Sequence, residues 1–157
     1  MKKSAILCLC LAAFLPALLG AAEAPVLMPV PEKMTLAEGQ YRLDASFTLA
    51  IEGQADPRLY SGVTRMLRRL SGRTALFMPQ DVITPQTRAE NPGLVITCQR
   101  PGKVALGEDE SYELTVTPAR IELHCVTDLG GLHGLETLLQ LLQADEKGFF
   151  FPALSIQ

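Results

Sequence analysis

An uninterrupted apolar run, Ala5–Leu15, stands behind a short basic start at Lys2 and Lys3, and small residues close the segment at Ala22-Glu23-Ala24. Charge, short apolar helix, then an A-x-A site is the layout of a secretory signal peptide, with cleavage after Ala24. A membrane anchor needs about 20 consecutive apolar residues, more than this run supplies, so no stable span is expected after signal removal. Cys8 and Cys10 each follow a leucine, not a small residue, which argues against a lipid-modified cysteine.

From residue 25 the pattern changes to short periodic segments. Pro25, Pro29 and Pro31 make an extended lead-in. Gln40–Leu43 and Phe47–Ile51 read as short strands separated by Asp44-Ala45-Ser46. Asp56-Pro57 predicts a helix start, and Leu59, Val63, Met66, Leu67 and Leu70 form one apolar face, with Gly72 as the stop. Pro79, Pro85 and Pro92 mark a loop before the buried strand Leu94–Cys98. Tyr112, Leu114 and Val116 alternate with polar residues, as do Ile121, Leu123 and Cys125, and the short connection Thr117–Arg120 makes them an antiparallel hairpin. Gly130-Gly131 is expected to open a second helix carrying Leu132, Leu135, Leu138, Leu139 and Leu142, with Gly148 ending it.

This order predicts a two-layer α+β domain over residues 25–157, a mixed sheet of four to five strands with two helices on one face. The chain then closes on the apolar stretch Phe149–Gln157 with nothing after it to pack or cap. That ending reads as a chain cut at a junction and predicts poor solubility of the domain by itself.

Composition refines the picture. Removing residues 1–24 lowers the apolar fraction from 48% to about 43%, ordinary for a soluble domain. With 157 residues there is no room for a complete (β/α)₈ barrel, which needs roughly 250. A net charge of −3 argues against a nucleic-acid partner. Export also reduces four cysteines to two in an oxidising compartment. Cys98 and Cys125 share parity with the apolar residues of their strands, so both point into one core if the two strands are neighbours. A disulfide and a pair of buried free thiols both remain open.

The candidate chemistry is sparse. His133 and Glu136 lie three apart on the second predicted helix, but position 137 is Thr137, so the H-E-x-x-H zinc pattern is absent and an exposed pair is expected. His124 alternates outward from its strand. Glu108, Asp109 and Glu110 are the one carboxylate cluster, and three consecutive acids in a turn point in different directions. Ser71-Gly72-Arg73 and Gly130-Gly131 lack the full phosphate-binding pattern and read as a helix stop and a helix start. Arg65, Arg68 and Arg69 face solvent or another domain. No G-x-S-x-G elbow occurs, and the residues 25–157 point to no catalytic residue, cofactor or metal.

Order and spacing together are more specific. The runs Gly107-Glu108-Asp109-Glu110-Ser111-Tyr112-Glu113-Leu114-Thr115-Val116, Ile121-Glu122-Leu123 and Gly130-Gly131-Leu132-His133-Gly134-Leu135-Glu136-Thr137-Leu138-Leu139-Gln140-Leu141 follow each other in the final third. Pro152 and Ile156 add a P-x-x-x-I lead-in, and Pro29-Val30-Pro31, Gly39, Tyr41, Leu43 and Leu70-Ser71-Gly72-Arg73 agree earlier on. The chain resembles the N-terminal, non-catalytic domain of exo-β-N-acetylhexosaminidases of glycoside hydrolase family 20. The resemblance implies a zincin-like topology without metal, packed against a catalytic (β/α)₈ barrel of the same polypeptide. It further implies that an Asp-Glu pair in that barrel, beyond Gln157, removes terminal amino sugars from glycans by substrate-assisted hydrolysis. The chain alone is then expected to be inactive. The alternative is a stand-alone exported module that binds a glycan or a protein. Periplasm and extracellular space are both compatible with the leader.

Overall fold

Two helices and seven strands run through residues 25–157, the part of the chain that the computed structural model describes. The leader, with Cys8, Cys10 and the Ala24 cleavage site, lies outside the described residues. In chain order the elements are β1 (Met34–Leu43), β2 (Leu49–Gly53), α1 (Pro57–Thr74), β3 (Leu94–Arg100), β4 (Tyr112–Val116), β5 (Ile121–Thr127), α2 (Asp128–Gln140), β6 (Gln143–Asp145) and β7 (Gly148–Ile156). One mixed sheet has the order β1-β7-β4-β5-β3-β2, with β6 paired to β7 off that path. The α+β class is as expected, and the sheet is larger than the four to five strands read from the sequence.

Helix α1 forms where Asp56 accepts the Arg58 N–H at 2.9 Å, the capping interaction that Asp56-Pro57 promises. Leu59, Val63, Met66, Leu67 and Leu70 are all buried, as their spacing predicts. The helix does not stop at Gly72. It continues to Thr74 and ends on Ala75, a left-handed residue with φ 56° whose N–H returns to the Ser71 carbonyl. Helix α2 likewise starts before the glycine pair, at Asp128, with Thr127 as its cap. Gly130 and Gly131 serve close approach: a methyl on Gly130 would strike the backbone oxygens of Ser111 and Glu110.

The chain end departs furthest from expectation. Gly148 does not end a helix. It opens β7 at φ 111°, after the small hairpin strand β6. Strand β7 is interior, bonded to β1 along one edge and to β6 and then β4 along the other. Pro152 falls between the residues paired to β6 and those paired to β4, where no ladder donor is required on that edge. Phe151, Leu154 and Ile156 are buried within the domain, so the apolar ending is covered, and the solubility argument drawn from it loses its ground.

The core lies between sheet and helices. Leu94, Ile96, Leu114, Val116, Ile121, Leu123 and Leu154 meet Leu59, Val63, Met66, Leu135 and Leu138 in one cluster. Gly134 lets α2 settle directly on the Leu123 side chain. The other sheet face carries Thr97, Thr115, Glu122, His124 and Ser155. Among the described residues no helix is long and apolar enough to cross a membrane.

Candidate functional site

The polar side chains singled out in the sequence fall into separate small groups. Glu108, Asp109 and Glu110 illustrate it. Glu108 receives the Arg100 guanidinium at 2.6 Å and the N–H groups of Lys103 and Asp109. Those donors, the guanidinium first, lower its carboxyl to about 2. Asp109 accepts from the hydroxyl and N–H of Ser111, which lower its pKa. Glu110 meets His133 Nε2 at 2.9 Å. Each acid thus has its own partner, and no two are poised across a common space as acid and base.

His133 and Glu136 are not a pair with each other. Glu136 is bound at 2.5 and 2.6 Å by Arg69, which crosses from α1, and Arg73 donates to the Leu139 carbonyl at 2.8 Å. Two basic residues of α1 therefore clamp α2, while Arg65 and Arg68 remain in solvent. His124 stands exposed on the open sheet face in a shallow depression of about 410 Å³ with Glu32, Gln99, Glu113 and Gln157. Among the described residues, no three His, Cys, Asp or Glu side chains gather where they would hold a metal.

Cys98 and Cys125 are brought together. They are register partners on the neighbouring parallel strands β3 and β5, both buried on the helix side, and both are free thiols. Burial raises both, and burial with the adjacent Cys98 takes Cys125 up to about 12.

Three polar contacts escaped the sequence reading. Asp128, wholly buried at the start of α2, accepts the Gly102 N–H at 2.5 Å and lies 3.1 Å from Arg58 Nε of α1. This latch joins both helix starts to the β3–β4 connection, and its other capping member, Thr127, donates to the Asp109 carbonyl at 2.5 Å. Gln80 bonds both the N–H and the C=O of Leu49, covering part of the β2 edge (2.7 and 3.2 Å). Gln140 does the same to Met28 of the lead-in at 2.9 Å each way. The Thr127-Asp128 dipeptide was a visible capping signal for α2. Gln80 and Gln140 act across long sequence separations and leave no local pattern.

The polar groups therefore tie loops and helices to the sheet. The model of the family described as glycosyl hydrolase family 20, domain 2, matches residues 24–157. The chain belongs to this family. Among solved structures, it is similar to a chitobiase of Flavobacterium johnsoniae at 48% identity and a TM-score of 0.80, over 83% of this chain and 20% of that one. An exo-β-N-acetylglucosaminidase of Vibrio harveyi shares the fold at 20% identity and TM-score 0.62, over 83% and 18% of the two chains. An N-acetyl-β-hexosaminidase of Streptomyces plicatus does so at 22% identity and TM-score 0.60, over 87% and 27%. No curated protein matches the chain. The family 20 domain thus spans about a fifth of the length of the first two solved relatives.

Proposed function

We propose that this chain is the N-terminal accessory domain of an exported exo-β-N-acetylhexosaminidase whose catalytic (β/α)₈ barrel follows residue 157. One observation carries the reading. The family's domain 2 accounts for residues 24–157, whereas the similar chitobiase is about five times that matched length. The arrangement of carboxylates supports it, since Glu108, Asp109 and Glu110 are each engaged in holding a loop. In the parent enzyme, a barrel glutamate protonates the glycosidic oxygen while the N-acetyl oxygen of the substrate attacks the anomeric carbon. The substrate class is a terminal N-acetylglucosaminide or N-acetylgalactosaminide of a glycan. Residues 1–24 direct the protein across the inner membrane to the periplasm or beyond, with cleavage after Ala24.

The codons after Gln157 test the reading. An in-frame continuation resembling D-x-P-R-x-x-W-R-G supports it. A stop codon there overturns it and leaves a stand-alone module.

A further inference from the structure

We propose that Cys98 and Cys125 form a disulfide that staples β3 to β5 beside the start of α2. The two residues are direct register partners on hydrogen-bonded parallel strands. Neighbouring strands lie about 4.8 Å apart, inside the 4.4–6.8 Å separation of Cα atoms that a disulfide accepts. Both side chains project to the same face, at 0% and 2% exposure, into one cluster. Cys98 Sγ donates to Arg100 O at 3.3 Å, Cys125 Sγ leans across to Thr97 O at 3.6 Å, and the two thiols also meet each other. Cys125 thus already reaches onto the strand that carries Cys98, and neither carbonyl contact leads beyond these two adjacent strands. The β-carbons of ideal partners must draw together by about 1 Å to reach the mean disulfide separation, a local pinch of the two strands.

The oxidant is a disulfide of the export compartment, and for that supply alone the inference rests on the export proposed above. One cysteine thiolate attacks the oxidant disulfide and expels a thiolate, leaving a mixed disulfide. The second cysteine thiolate attacks the protein sulfur of that mixed disulfide and expels the other thiolate. Two protein S–H bonds and one S–S bond are lost. One protein S–S bond and two small-molecule thiols are gained. Burial raises both thiols in the folded domain, so exchange takes place while the chain folds, before α2 closes over Cys125. The loop that the link closes contains β4 and the β3–β4 connection, which Gly102 and Asp128 already latch.

The test is to refold the reduced 157-residue chain in an oxidised/reduced glutathione mixture, alkylate under denaturing conditions and digest with trypsin. Peptides 89–103 and 121–147, which carry Cys98 and Cys125, are expected as one linked species that separates on reduction. The linked protein should melt roughly 10 °C above its reduced form, and Cys98→Ala should melt with the reduced form and ignore reductant. Two separate alkylated peptides, a link to Cys8 or Cys10, or a C98A protein as stable as the oxidised parent overturns the proposal. Expression of the chain with its own leader in a bacterial host separates the two claims. A chain starting at Pro25 with both thiols free defeats the disulfide and keeps export. A chain starting at Met1 that links on refolding defeats export and keeps the disulfide.

Discussion

On the helix-covered face of the sheet, Leu94, Ile96, Leu114, Ile121 and Leu123 have no exposed surface. One residue along each strand, Thr97, Thr115, Glu122 and His124 look the other way and are partly or fully in solvent. The covered face is bound by volume, with Gly130, Gly131 and Gly134 letting α2 approach within a side chain's reach of the strands. The open face is bound by little more than solubility, and Arg120 simply pairs with Glu122 there. A domain built this way keeps its shape through one face and leaves the other tolerant of change.

That contrast can be broken at stated points. Gly130→Ala should cost the most, about 2–4 kcal/mol, because its methyl meets the rigid backbone of Glu110 and Ser111. Urea unfolding reads it, and a loss under 1 kcal/mol would mean that α2 slides freely on the β3–β4 connection. Arg58→Met should cost about 2–3 kcal/mol by leaving the buried Asp128 carboxylate without its cation. The loss should shrink when Asp128→Asn is added, since a neutral amide needs no counter-charge. Ala75→Gly should stabilise by about 0.5–1 kcal/mol, because glycine takes the φ of 56° without strain. On the open face, His124→Ala should stay within about 0.5 kcal/mol of the parent.

The smallest effect concerns pH. The folded carboxyl of Glu108 sits at about 2, below its ordinary 4.5, so its contribution is complete above about 4.5 and is lost as pH falls toward 2. Glu108→Gln should remove that contribution, so the loss is complete at pH 7, fades as pH falls toward 2, and flattens the acid limb of stability over that interval. An unchanged limb would assign the acid sensitivity to other carboxylates.

How much of this was legible follows the same division. The covered face wrote itself into the sequence, because alternation in β4 and β5 and the three-and-four spacing of α1 are direct consequences of one-sided burial. Glycine read as punctuation misplaces the helix boundaries. Gly72 lies inside α1 and Gly130-Gly131 inside α2, where small size serves packing, while the left-handed stop falls on an alanine that carries no such signal. Strand β6 is three exposed residues with no period to detect. Strand β7 reads as an extended piece, but its place between β1 and β4 depends on contacts more than 100 residues away for β1, which local patterns do not encode. The register that sets Cys98 beside Cys125 is of the same kind. Parity fixed the face, and only the topology fixed the neighbour.

The proposed accessory role assigns the chemistry to chain that would follow this domain. Its most direct test compares the purified 157-residue chain with the same chain extended through the reading frame that follows, both assayed on a chromogenic N-acetyl-β-glucosaminide. The extended protein is expected to release the chromophore, and the 157-residue chain to release none above the uncatalysed rate. Turnover by the short chain, or its absence from a folded extended protein, would contradict the accessory role.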